Sequence, residues 1–281
     1  MSGRGDTISP ALAAKDEALR ALLKDMGCVL VAFSGGTDSS LLLKTSLQAL
    51  GPERVLAVVA SSETYPRREV DAALQTAGEW GVRCVLVHTR EMDNPAFASN
   101  TPDRCYHCKQ ELFRTLRDIA ARENIPFVVD GQNLDDLEDY RPGSRAAREL
   151  GVRSPLQEAR LTKAEIRGLS RALGLAVWDK PAMACLASRF PYHTAIDSEN
   201  LRRVGEAEEF LRGLGLKQVR LRHHGDVARV ECDPGDFGRL MEEGVRTKVV
   251  RRLKDLGYLY VALDLEGYRT GSLNDALKIR G

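Results

Sequence analysis

The sequence predicts an α/β protein, with a parallel-sheet domain over residues 1–185 and a smaller α+β domain over 186–281. Three observations carry that prediction. Short apolar runs recur along the first half, each followed by a stretch of helical character. The first run leads straight into a turn of small residues, Ser34-Gly35-Gly36-Thr37-Asp38-Ser39. After Trp178 the texture changes to an irregular stretch and then to alternating segments, which places the boundary near residues 185–195.

Cys28–Phe33 reads as a strand buried on both faces, because all six residues are apolar or small. Leu41–Leu50 is helical and is stopped by Gly51-Pro52. Val55–Ala60 is a second strand, Pro66–Trp80 a helix that opens on proline and closes at Gly81, and Cys84–His88 a third strand. Asp103–Glu123 reads as a long helix and Pro126–Asp130 as the fourth strand. Strands separated by such helices build parallel sheets through right-handed crossovers. Thr162 and Glu165 form a capping box that opens another helix, ending near Gly174. Trp178–Tyr192 holds two prolines and no periodicity, so it reads as irregular. Beyond it lie an amphipathic helix (Ser198–Arg212), a hairpin (Lys217–His223 with Val227–Cys232), a helical region (Asp236–Leu256) and a strand (Tyr258–Leu265). There is no internal repeat.

Of the 281 residues, 43% are hydrophobic and 29% charged, with 41 basic against 40 acidic side chains. A chain of that balance buries a core and is not intrinsically disordered. No apolar stretch approaches the roughly eighteen residues of a membrane span, and Met1–Pro10 lacks a signal-peptide core. The expected location is therefore cytoplasmic, with no membrane partner. A net charge of +1 supplies no field to gather nucleic acid. Residues 201–281 carry sixteen Lys/Arg against thirteen Asp/Glu, a small cationic surplus.

Six cysteines remain, and without an export signal they are not read as disulfide staples. Cys28, Cys84 and Cys232 lie in strands and read as small core residues. Cys105-Tyr-His-Cys108 holds two thiols close together, which fits a redox pair, half of a zinc site, or two thiols at a helix start. Cys185 is the candidate third partner. Three cysteines suit a [4Fe–4S] cluster with one open iron, and also a Cys₃ zinc site completed by water or by His107, although a ring directly between the two cysteines is poorly placed.

The Ser34–Ser39 turn lets backbone N–H groups approach an anion, and the helix that follows adds its positive end. No lysine follows the glycines, so this is not the loop that holds a γ-phosphate. Asp38 suits a Mg²⁺ arriving with phosphates. Spacing alone also fits an ordinary capped turn. The S-G-G-x-D-S pattern, however, resembles the PP-loop of ATP pyrophosphatases, which have an adenine nucleotide alpha-hydrolase-like, Rossmann-like fold. That resemblance implies ATP and Mg²⁺ held at Ala32, Phe33, Ser34, Gly35, Gly36, Asp38 and Ser39, the adenine near Ser61, and a second nucleotide loop at Gly131, Asn133 and Asp136. All three segments fall beyond strand ends, where parallel sheets bind ligands.

A wider match covers most of the chain. It includes Arg104–Lys109, Asp130–Asp136, Asp139–Gly143, Ser154–Leu156, Leu161–Arg167, Lys180–Arg189 and Val219–Arg222. Together these resemble the LarE family of ATP-dependent sulfur transferases, which make the nickel-pincer nucleotide of lactate racemase. The resemblance implies adenylation of a carboxylate of a small anionic substrate, pyridinium-3,5-biscarboxylic acid mononucleotide. A sulfur nucleophile then displaces AMP to leave a thiocarboxylate. Family members with a single cysteine sacrifice its sulfur. Members with three hold a [4Fe–4S] cluster that binds sulfide, and on that basis Cys105, Cys108 and Cys185 are assigned as ligands. Ser188 and Arg189 are expected to shape the reacting site around Cys185. Arg220 and Arg222 alternate on one strand and so share a face, and with Arg269 they are assigned to the substrate phosphate. Glu208 and Glu231 match a metal-binding carboxylate cluster of the family, but the residues themselves read as exposed acids. A homo-oligomer, hexameric in related proteins, is also implied. Two alternatives stand beside this reading. A PP-loop tRNA thiolase would need a basic RNA-binding surface, and an ATP-sensing or redox-reporting module would have no use for Lys180–Arg189 or the paired arginines.

Overall fold

The computed structural model describes residues 8–137, 142–181, 184–269 and 271–275. These form two compact units, the first from residues 8–91 and 103–181, the second from 92–102 and 184–275.

The first unit opens with helix α1 (Pro10–Met26), which the strand–helix reading of the sequence does not include. Ser9 caps it through its hydroxyl and Pro10 sits where no amide donor is needed. Strand β1 (Val29–Ala32) leads into α2 (Thr37–Leu50), then β2 (Val55–Ser61), α3 (Arg67–Glu79) and β3 (Arg83–His88). The one-turn helix α4 (Pro95–Ala98) belongs to the second unit, and the chain returns in α5 (Arg104–Arg122) and β4 (Phe127–Val129). Helices α6 (Pro142–Glu149), α7 (Pro155–Glu158) and α8 (Lys163–Ala172) complete the unit.

The strands are all parallel in the order β3-β2-β1-β4, as the recurring strand–helix pattern predicts. Period two assigns the side chains of the central strand. Val29 and Val31 enter one buried layer with Leu41, Leu42, Val70 and Ile166, while Leu30 enters the other with Phe113, Leu116 and Ile119. Both sheet faces are therefore covered, and each fully buried Leu or Phe contributes about 2 kcal/mol. The connection from β1 to β2 runs to one side of β1, and β4 lies on the other. The crevice beyond the ends of β1 and β4 is thus the topological switch point of this sheet.

In the second unit α9 (Ser198–Gly213) packs against β5 (Val219–His224), which pairs antiparallel with β6 (Val227–Cys232). The predicted hairpin is present. The helical region expected over Asp236–Leu256 consists of two helices, α10 (Phe237–Met241) and α11 (Glu243–Asp255). Glu242 breaks them apart with extended backbone (φ −56°, ψ 130°). Strand β7 (Tyr260–Leu263) then pairs parallel with β6. Residues 92–102 are tied into this unit through Asn100, whose side-chain amide donates to the carbonyls of Pro191 (2.8 Å) and Thr194 (3.0 Å).

Candidate active site

The phosphate turn occupies the switch point of the first unit. Gly35 takes φ +68°, and a Cβ there would sit 3.0 Å from Ala73 Cβ. Ser34 Oγ and Ser39 Oγ lie 3.0 Å apart and close the turn on itself. The N-terminus of α2 carries no side-chain cap, so its positive end and amide donors face the turn. Gly131, beyond β4, lies against the same place: a Cβ on it would meet Ser39 N at 3.0 Å. Ala32 ends β1, and Phe33 is buried against Trp80, so Phe33 has only backbone to offer a ligand. Ser61 ends β2. Asn133 and Asp136 are buried and build their own loop: Asn133 N donates to Asp136 Oδ2 at 3.0 Å, and Asn133 Oδ1 accepts from Asp135 N.

Two lysines that the sequence pattern does not connect with the turn complete this site. Lys163, the first residue of α8, places Nζ 2.6 Å from Asp38 Oδ2, and its own amide donates to Asp135 Oδ2 at 2.9 Å. Lys180 donates to the carbonyl of Gly35 at 3.1 Å and pairs with Glu69 at 2.6 Å. The missing lysine of the turn was the available signal: a phosphate site without one needs cations from elsewhere in the chain. Asp38 lies on the first turn of α2, beside its uncapped amides, and is paired with Lys163. A carboxylate in that position suits a Mg²⁺ that keeps most of its water.

Cys105 and Cys108 lie on the first turn of α5, three residues apart and so on one face, the first exposed and the second half-buried. Helix α6 is seated on that turn. Gly143 approaches so closely that a Cβ would lie 2.9 Å from Lys109 Cγ and 3.5 Å from Cys105 O, and Tyr106 OH donates to Glu149 at 2.6 Å. Cys185, half-buried, belongs to the second unit, and among the described residues no three metal-ligating side chains are gathered into a group. Cys28 and Cys84 pack half-buried against the core, and Cys232 is buried, with burial pushing its thiol up to about 11.

Within the second unit, Cys185 precedes a 3₁₀ turn, Leu186–Arg189. Its carbonyl accepts from Ser188 Oγ (2.8 Å) and Arg189 Nη1 (3.1 Å). Arg189 is fully buried. It forks onto both oxygens of Glu208 (2.7 and 3.0 Å) and also holds Ala184 O and Ser188 Oγ. Its donors are shared between Glu208 on α9 and the loop, which makes it a strut that positions Cys185. Arg222 forks onto Glu231 (2.9 and 2.8 Å) and reaches Ser188 O at 2.7 Å. Arg220 lies with its guanidinium 5.1 Å from the Tyr268 ring centre. Burial, then the neighbouring Arg189 charge, brings Arg220 down to about 10. Arg269 is exposed and pairs with Glu266 and Asp275.

Glu208 and Glu231 correct the expectation of exposed acids, being 0% and 1% exposed. Glu208 accepts from Arg189, from Arg212 (2.6 Å) and from Leu221 N (3.1 Å). Glu231 accepts from Arg222 and from Arg229 (2.9 Å). A carboxylate survives burial only when charge-paired and hydrogen-bonded. Three guanidinium groups, Arg189, Arg212 and Arg220, act on the charge of Glu208.

Burial alone would raise the Glu208 carboxyl, but Arg189, with Arg212 and Arg220, outweighs it and holds the group at about 2. Protons therefore bind the unfolded chain first. The stabilisation is full above the unfolded value of 4.5 and is lost as pH falls towards 2. Urea unfolding at stepped pH is expected to show wild type losing on the order of 3 kcal/mol more than Glu208→Gln across that window. Parallel curves would remove the assignment.

Asp139, Tyr140 and Arg141 of the Asp139–Gly143 segment lie outside the described residues, as do Ala182, Met183 and Thr270. No described helix is long and apolar enough to cross a membrane.

Comparison with known proteins gives two kinds of match. The family model described as NAD synthase matches residues 14–120, which hold the phosphate turn and both α5 cysteines. An NH₃-dependent NAD⁺ synthetase of Chlorobaculum tepidum is 27% identical over 167 residues, 57% of this chain and 58% of that protein. An uncharacterised protein of Synechocystis is 44% identical over 267 residues, 95% of this chain and 99% of that protein. The pyridinium-3,5-bisthiocarboxylic acid mononucleotide synthase of Lactiplantibacillus plantarum is 42% identical over 266 residues, 95% of this chain and 96% of that protein. The likeness to NAD synthetases thus stops at little more than half the chain, while the other runs nearly its full length.

Proposed function

The chain belongs to the family of the pyridinium-3,5-bisthiocarboxylic acid mononucleotide synthase, and from that premise we propose that it converts a pyridinium dicarboxylate mononucleotide to its thiocarboxylate at the expense of ATP. A substrate carboxylate oxygen attacks the α-phosphorus of ATP, the bond to the bridging oxygen breaks, and pyrophosphate leaves. A sulfur nucleophile then attacks the acyl carbon of the adenylate, and AMP departs with the oxygen it acquired.

The observation that carries the first step is the convergence on one turn of uncapped α2 amides, Lys163 and Lys180. These groups would neutralise the leaving pyrophosphate, the preorganised stabilisation on which phosphoryl and adenylyl transfer depend. Asp38 would hold the Mg²⁺, which supplies charge neutralisation on the phosphates. We assign a mononucleotide phosphate site to the second unit, where Arg220 and Arg222 alternate along β5 and Arg222 reaches Ser188 O on the Cys185 loop. Arg269, engaged with Glu266 and Asp275, would have to leave those acids to join it.

For the second step we assign Cys105, Cys108 and Cys185 to a [4Fe–4S] cluster. When bound, such a cluster offers an iron without a protein ligand to a replaceable sulfide. What the chain itself supplies is Cys185 on a loop whose carbonyls are clamped by Arg189. The proposed setting is a cytoplasmic homo-oligomer.

The test is incubation of anaerobically prepared protein with ATP, Mg²⁺, sulfide and the dicarboxylate mononucleotide. Equimolar AMP and pyrophosphate are expected, with a product heavier by the replacement of one oxygen by sulfur. Cleavage of ATP with no sulfur-bearing product would overturn the transferase reading, and no cleavage at all would leave the sensing module. The tRNA thiolase alternative predicts sulfur in tRNA in the same mixture.

A further inference from the structure

Glu91 follows β3 at the carboxyl edge of the first sheet and is 1% exposed. Its Oε1 accepts from the hydroxyls of Ser62 (2.5 Å) and Thr64 (2.7 Å). Ser62 Oγ in turn accepts from Thr64 N at 3.2 Å and lies 3.0 Å from Thr64 Oγ1. Residues 62–64, just beyond the end of β2, are thus knotted onto one carboxylate from another strand end. Thr89 N donates to Ser61 O at 3.0 Å, so the pairing of β2 with β3 continues up to the knot. The other oxygen of Glu91, Oε2, is out of solvent and has no hydrogen-bond partner.

Such a carboxylate is a poor device for stability alone. Burying an ionised group with one oxygen unmet is costly, and apolar side chains of the same volume would serve a purely structural role better. What the carboxylate does achieve is directional. It turns the Ser62 and Thr64 hydroxyls inward and leaves the backbone of the Ser61–Thr64 turn in one shape. That turn stands at the end of the strand next to β1, whose own end carries the phosphate turn.

We propose that Glu91 is the positioning residue that preorganises the Ser61–Thr64 turn to receive the purine base of ATP. The proposal rests on the ATP reading above and on the adenine position near Ser61 that the PP-loop resemblance implies. What it adds is the part of Glu91, which holds the Ser61–Thr64 turn in shape. Preorganisation of this kind acts on affinity by sparing the ordering of the loop at binding.

The experiment is calorimetric titration of the full-length protein with ATP and, separately, with inorganic tripolyphosphate. Glu91→Ala is expected to weaken ATP about tenfold, equivalent to about 1.4 kcal/mol, with tripolyphosphate unchanged within about twofold. Glu91→Gln keeps a carbonyl oxygen for both hydroxyls and is expected to stay within about threefold of wild type for ATP. A destabilised fold would weaken both ligands alike, so a selective loss reads positioning. Ser62→Ala with Thr64→Val removes the hydroxyls and leaves the carboxylate, and is expected to reproduce the selective loss if Glu91→Ala does not fold. Unchanged ATP affinity in these variants, or equal loss of both ligands, overturns the proposal. Wild type binding tripolyphosphate as tightly as ATP also overturns it while leaving the phosphate site standing. Wild type binding neither removes the ATP reading on which it rests.

Discussion

Asp38→Asn will lower AMP and pyrophosphate release by on the order of 10³-fold while leaving the affinity for ATP in the absence of Mg²⁺ undiminished. The two halves of that expectation have different causes. Asn keeps the volume and polarity of the side chain on the first turn of α2, so the turn and the Ser34–Ser39 contact are retained. What disappears is one negative charge, partnered by Lys163 at 2.6 Å and about a quarter exposed. Without that charge the site attracts a phosphate chain at least as well. The only carboxylate of the turn able to share a Mg²⁺ with the phosphates is gone, however, and so is the anchor that aims Lys163 into the turn. Binding and chemistry should therefore separate. Calorimetry with and without chelator measures the first, and chromatographic AMP with a coupled pyrophosphate assay measures the second. AMP formation within about tenfold of wild type at saturating Mg²⁺ would remove Asp38 from the mechanism.

The Asp38–Lys163 pair also marks where sequence reading stops. The turn itself was legible because it is local: a small-residue run between a buried strand and a helix admits few structures. Its cations were not, since Lys163 meets Asp38 across 125 positions and Lys180 meets Gly35 across 145. Nothing in local pattern joins such residues. Glu208 is a different kind of miss. Leu201, Val204, Ala207 and Leu211 are buried along α9, and Glu208, four residues beyond Val204, falls on that same face. Helical phase places it inside, whereas the chemistry of an acid in a charged helix points outward, and here phase wins. Glu231 escapes for a related reason: Arg229 is two residues away on the same strand, but the pairing with Arg220 and the fork from Arg222 exist only once the hairpin register is set. Helix α1 precedes the first strand–helix repeat and so falls outside that pattern, and its caps at Ser9 and Gly27 are the local signals for it.

Cys185→Ser will abolish the thiocarboxylate product and leave adenylation in place, so that AMP still forms in a single turnover but no sulfur reaches the substrate. The substitution is nearly isosteric. It keeps the backbone carbonyl that Ser188 and Arg189 hold, so the Leu186–Arg189 turn and the buried Arg189–Glu208 pair need not move. The phosphate turn belongs to the other unit and is untouched. Only the sulfur is removed, and a hydroxyl matches it neither as a nucleophile nor as an iron ligand. The fate of sulfur then separates the two ways in which Cys185 could serve. If the three cysteines share a cluster, anaerobic reconstitution of wild type yields a brown protein with about four irons per chain, and serine at 105, 108 or 185 each lowers that content. If Cys185 gives up its own sulfur, its mass falls by one sulfur for each product formed, and Cys105→Ser keeps a full first turnover. Stoichiometric zinc without iron would exclude the cluster, since zinc has no redox chemistry and its sites favour tetrahedral closure. The position of Cys105 and Cys108 on the opening turn of α5 sharpens the contrast, because the positive end of a helix stabilises thiolates. Two such thiols add ligands to a cluster, whereas a lone sacrificial cysteine has no need of them. Retained iron in all three serine variants would therefore count against the shared site, whatever the variants do to the product.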